Sequence, residues 1–156
     1  MHKFSIQEVL EQAVQTEKLG CQLYLGMARK FEKDDKLRKL FEILAMKEQE
    51  HERTFSDLKE KIADREVENW EEVSNYLRAI VESEYFLGKD KSLTSLDKLK
   101  NVEDAVRYAI GFEKETLLYY HAIQDMLREK DILPKLIDEE RSHIVWLDEY
   151  RKSVLR

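Results

Sequence analysis

The sequence predicts an all-α protein, a four-helix bundle with a long crossover between its second and third helices. Helix breakers are scarce, with four Gly and one Pro in 156 residues, while good helix formers such as Glu, Lys, Leu and Ala are abundant. Apolar residues recur at helical spacing in four long stretches. The connection between the second and third stretches is too long for a hairpin turn, and bundles with one long crossover are an established class. The length fits one domain spanning residues 1–156.

The first helix is expected over about 5–32. Ser5 and Glu8 form a Ser-x-x-Glu capping box. Its apolar stripe is Ile6, Val9, Leu10, Ala13, Gly20, Tyr24, Ala28 and Phe31, and Glu17 falls on it. Asp34 or Asp35 in the following turn can cap the second helix, about 36–64. That stripe reads Leu37, Leu40, Phe41, Leu44, Phe55, Leu58 and Ile62, with Glu48 and His51 filling its middle.

Residues from about 65 to 100 make the crossover. Trp70, Val73, Tyr76, Leu77, Ile80 and Val81 suggest a short helix. Gly88 to Ser92 reads as a loop, and Leu93, Leu96 and Leu99 as apolar anchors. The third helix, about 102–130, starts after Asn101, a capping residue with Asp104 three positions on. Its stripe is Ala105, Val106, Ala109, Leu117, Tyr120, Ile123 and Leu127, centred on Glu113. Pro134 suits the first turn of the fourth helix, about 134–153. Leu136, Ile137, Ile144, Leu147, Tyr150 and Val154 form its stripe, which encloses Glu140 and His143.

The halves repeat. Ala13 to Lys18 with Tyr24 matches Ala109 to Lys114 with Tyr120, and Leu44, Glu48 and His51 match Leu136, Glu140 and His143. The repeat predicts two helical hairpins related by a pseudo-two-fold axis. It also brings a Glu from each of two helices, and a Glu-x-x-His from each of the other two, into one core. Residues three apart share a helix face, so each Glu-x-x-His aims a carboxylate and an imidazole at one point. Four bare carboxylates in an apolar core would repel, and some would have to take up protons. Two divalent cations would neutralise them, and the imidazoles would complete the sites. The expected ligands are Glu17, Glu48, His51, Glu113, Glu140 and His143, and a mixed oxygen and nitrogen donor set suits iron or manganese, with zinc or cobalt also accommodated.

With those residues in place, the chain resembles the rubrerythrin-like branch of the ferritin-like di-iron carboxylate proteins over about Ser5 to Tyr150. The motif order, the crossover and the spacing of Glu17 to Tyr24 and Glu113 to Tyr120 carry the resemblance. It implies a ferritin-like bundle holding two iron ions. Glu17, Glu48 and His51 would serve one iron and Glu113, Glu140 and His143 the other, with Glu48 and Glu140 bridging. It further implies an oxidoreductase that reduces peroxide or oxidises ferrous iron. The implied partners are peroxide or dioxygen and an external electron donor such as a separate rubredoxin. Two departures stand out. Cys21 is the one cysteine, so a four-cysteine rubredoxin iron site cannot be built from these residues. Rubrerythrins also carry an extra glutamate one turn along the third helix, where Ile110 and Thr116 flank Glu113 here.

Tyr24 and Tyr120 are candidate catalytic residues, either hydrogen-bonding a ligand carboxylate from a facing helix or acting as redox phenols. The plainer reading is core tyrosines with satisfied hydroxyls. Cys21 reads as a small buried hydrophobe, Trp70 and Trp146 as packing anchors, and Met27, Met46 and Met126 as gap-fillers. Glu50, Glu52 and Glu139 neighbour the motifs and read as solvated. His121 reads as a flank or surface residue and His2 as a terminal one.

The net charge of −6 gives no support for nucleic-acid or anionic-membrane partners. No stretch approaches the ~20 apolar residues of a membrane span, and Met1 to Gln7 lacks an apolar signal core. The expected location is cytoplasmic. Dimerisation through the crossover stays open, and a non-catalytic metal-binding or helical scaffold protein is the alternative function.

Overall fold

The computed structural model describes residues 5–62, 71, 72, 75, 76, 79, 93–127 and 132–154. Four long helices carry the fold: α1 (Ile6–Lys30), α2 (Asp35–Lys61), α3 (Val102–Met126) and α4 (Leu133–Val154). A 3-10 turn at Leu93–Lys98 precedes α3. Three of the helices begin at capping side chains that meet an otherwise orphaned backbone N–H. Ser5 accepts from Glu8 N, Asp34 from Leu37 N and Asn101 from Asp104 N.

The helices pack as two hairpins, α1 on α2 and α3 on α4, joined through contacts of α2 with α4 and of α1 with α3. Side chains sort into two apolar clusters stacked along the bundle. One gathers Ile6, Leu10, Phe55, Ile62, Tyr120, Leu127, Leu133 and Leu136. The other gathers Leu23, Met27, Leu37, Phe41, Leu99, Ala105, Phe112 and Leu147. The start of α1, the end of α2, the end of α3 and the start of α4 thus share one end. Ile62 and Leu99 lie at opposite ends, and α3 runs parallel to α2, as a long crossover requires. A helix of 25 residues such as α1 is about 37 Å long, so the two clusters leave a middle layer, which the polar residues occupy.

Of the short helix expected around residues 70–81, positions 71, 72, 75, 76 and 79 are helical. The other residues of that stretch, including Trp70, and the expected loop at Gly88 to Ser92 lie outside the described residues, as does His2. Leu96 is partly buried and Leu99 buried against the second cluster, where both anchor the approach to α3. Lys30 Nζ donates to Leu96 O at 2.5 Å, tying the 3-10 turn to the end of α1. Among the described residues, no helix is long and apolar enough to cross a membrane.

Candidate metal centre

Midway along the bundle every helix sends an ionisable side chain inward at a position its stripe would otherwise give to an apolar residue. Glu17 comes from α1, Glu48 and His51 from α2, Glu113 from α3, and Glu140 and His143 from α4. None is more than 1% exposed. At that depth a charge is unfavourable unless something of opposite sign meets it.

These six residues form two overlapping groups, Glu17, Glu48, His51 and Glu140, and Glu48, Glu113, Glu140 and His143. Each residue of a group offers a ligand-type atom, and those atoms lie within 4.8 Å of one another. Glu48 and Glu140 belong to both. Both histidines present Nδ1 to the cluster. His51 Nδ1 is 2.8 Å from Glu140 Oε1 and 3.9 Å from Glu17 Oε2. His143 Nδ1 is 3.4 Å from Glu140 Oε2, 3.5 Å from Glu113 Oε1 and 4.0 Å from Glu48 Oε1. The rings lie nearly parallel, 5.9 Å apart.

Tyr24 and Tyr120 act across the α1–α3 interface in opposite directions. Tyr24 on α1 donates to Glu113 Oε1 on α3 at 2.5 Å. Tyr120 on α3 donates to Glu17 Oε1 on α1. Burial pushes both phenols well above their ordinary range, so each keeps the proton it donates. Each tyrosine satisfies one oxygen of its glutamate and leaves the other facing the cluster.

Those inward-facing atoms lack hydrogen-bond partners. They are Glu17 Oε2, Glu113 Oε2 and both oxygens of Glu48 and of Glu140. His143 has no partner at either ring nitrogen. His51 Nδ1, by contrast, has the Tyr120 hydroxyl at 3.4 Å. Buried polar atoms are normally paired, and a set orphaned around one centre fits the donor shell of a cation. The electrostatics agree. Burial, reinforced by the charge of Glu140, pushes Glu48 up to about 8. Burial works against a charged His51, yet Glu140, Glu48 and Glu139 outweigh it and push the ring up to about 9. Protons stand in here for positive charge the site otherwise lacks. A donor set of carboxylate oxygens and imidazole nitrogens fits divalent first-row metals.

Four residues differ from their sequence reading or go beyond it. Glu139, expected to be solvated, turns inward, and its Oε2 is 2.6 Å from His51 Nε2. It shares a helix with Glu140 but reaches the α2 histidine from behind, a contact that spacing along one helix cannot show. Trp146 is more than an anchor, since its ring lies 5.4 Å from that of His143, one turn away on α4. Cys21 is only partly buried, at the edge of the second cluster. Met46 is 54% exposed and fills no gap.

A protein-family model described as Rubrerythrin matches residues 8–149. No curated protein matches the chain. Among solved structures, a Thermotoga maritima protein described as ferritin-like and diiron-carboxylate aligns with a TM-score of 0.69 at 21% identity, over 97% of this chain and 97% of that one. That alignment establishes the fold as ferritin-like.

Proposed function

The chain belongs to the rubrerythrin family, and on that premise we propose that its central layer holds two iron ions and uses them to reduce peroxide or to oxidise ferrous iron. The observation that carries this reading is the ring of orphaned carboxylate and imidazole atoms shared between two overlapping groups. Glu17, Glu48, His51 and Glu140 would hold one ion, and Glu48, Glu113, Glu140 and His143 the other, with Glu48 and Glu140 shared. The donor set also accepts manganese or zinc. Family membership is what selects iron. A ferrous pair would supply the two electrons that, with two protons, convert hydrogen peroxide to two waters, becoming ferric.

The protein's own part is to hold and shield. Tyr24 and Tyr120 fix the outer glutamates by hydrogen bonds from phenols that stay protonated. Glu139 accepts from His51 Nε2, which leaves the Nδ1 lone pair turned to the cluster. Phe41, Phe112 and Leu44 on one side, and Phe55, Tyr119 and Leu136 on the other, keep bulk water from the layer. Return of electrons would fall to an external donor such as a separate rubredoxin.

A second reading, oxidation of ferrous iron by dioxygen, draws support from α3. Ile110 and Thr116 supply no further carboxylate one turn from Glu113, and Thr116 Oγ1 is committed to Phe112 O at 2.9 Å. Anaerobic loading with ferrous iron, followed by mixing with peroxide or with dioxygen, tests both. The expected result is a rise in ferric absorbance faster with peroxide than for free ferrous iron, abolished in Glu17→Ala and His143→Ala. A faster rise with dioxygen than with peroxide selects the second reading. Oxidation no faster than that of free iron with either oxidant leaves a non-catalytic metal-binding protein.

A further inference from the structure

The repeat that builds the site breaks behind its two histidines. Glu139 precedes Glu140 on α4, and its counterpart on α2, preceding Glu48, is Lys47. The charge there is reversed, and Lys47 Nζ turns to Glu50 Oε2 at 3.4 Å. As a result the two histidines are backed differently. His51 Nε2 has a carboxylate oxygen at 2.6 Å. His143 Nε2 has no hydrogen-bond partner among the described residues, and the indole of Trp146 lies against its ring. The halves share one tyrosine for each outer glutamate, a common Glu48 and Glu140, and Nδ1 inward on both rings, while the Tyr120 hydroxyl also lies 3.4 Å from His51 Nδ1.

We propose that the two metal positions are unequal, and that Glu139 acts as a positioning residue that makes the ion beside His51 the more tightly held. The inference rests on the two-metal reading above. A carboxylate at Nε2 holds the proton there, so the ring binds through Nδ1 without first changing tautomer. Its negative charge also strengthens the lone pair the metal uses. His143 lacks both advantages. Its unpaired Nε2 does not select the tautomer, and the partly buried indole of Trp146 adds no charge behind the ring. The first ion therefore enters the group containing His51 and Glu17, and the second completes the group containing His143 and Glu113.

Anaerobic titration of the metal-free protein with cobalt(II), followed by calorimetry and visible absorbance, tests this without any turnover. Two cations sharing two carboxylates repel, so two separated steps alone would not distinguish the proposal; the variants do. Glu139→Gln keeps a similar shape and removes the charge. It should weaken the first step about 10–100-fold, and Glu139→Asp should restore part of the loss. His51→Ala should remove the tight step and His143→Ala the weak one. Glu139 is 27% exposed at its side chain, so the variants should fold. A first step indifferent to Glu139→Gln, or a tight step that survives His51→Ala, would overturn the proposal. Failure of the parent protein to take up any cobalt would overturn the metal-centre reading itself, and this inference with it.

Discussion

At Gly20, α1 passes so near the site that a Cβ would stand 3.2 Å from Glu48 Oε2 and 3.2 Å from the Phe112 ring. In Gly20→Ala two effects on stability oppose each other. Helix propensity favours Ala by about 1 kcal/mol, and overpacking costs about 1–3 kcal/mol. The melting temperature of the metal-free protein should therefore move little. Metal affinity should fall about tenfold, because the carboxylate that must yield belongs to both groups. Parallel calorimetric melting and ferrous titration check this, and unchanged affinity would show that the Glu48 carboxylate has room to spare. At this scale the sequence was legible wherever an ionisable residue interrupts an apolar stripe, and the structure brings Glu17, Glu48, His51, Glu113, Glu140 and His143 together. It was not legible at Glu139, because a glutamate on the flank of a stripe reads as solvated until the facing helix is in place. The phenol of Tyr120 reaching Glu17 across 103 positions of sequence is a contact of the same kind, and the repeat hinted at it.

Helix ends carry much of the order at the next scale. Asp34 caps α2 through Leu37 N and also accepts from the Tyr150 hydroxyl on α4. One side chain thus joins the α1–α2 turn to the last helix. Asp34→Ala should destabilise the protein by about 1–3 kcal/mol, combining a lost cap and a lost hydrogen bond. That corresponds to a fall in melting temperature of several degrees for a chain of this length. Metal stoichiometry should be unaffected, since the turn lies at the end of the bundle, where Leu37 and Tyr150 pack, and carries none of the six candidate ligands. Denaturant unfolding and metal analysis of the variant check both halves. Ser5 and Asn101 were readable as caps, and Asp34 as one of two candidates with Asp35, because each combines a small polar side chain with the onset of an apolar period. Among the crossover's expected anchors, Leu96 and Leu99 pack as anchors do, although no periodicity marks a 3-10 turn.

For the whole molecule, the long crossover and the repeated Glu-x-x-His were enough to specify a four-helix bundle that brings those six side chains to one level, and the resemblance these motifs carry implied that the bundle is ferritin-like. The bundle is also divided in a way that stripe positions alone did not reveal. Two apolar clusters provide the packing, and the layer between them gives up apolar contact for unsatisfied carboxylates. Such a layer makes sense if cations complete it, and binding that satisfies buried groups couples directly to folding. The most direct test is therefore metal analysis of the protein purified without added metal, together with its saturation by ferrous iron under argon. The account predicts about two metal ions per chain, lost on Glu48→Ala and accompanied by a higher melting temperature than the metal-free form. A chain that binds no metal under saturating ferrous iron, and melts at the same temperature with and without it, would contradict the account.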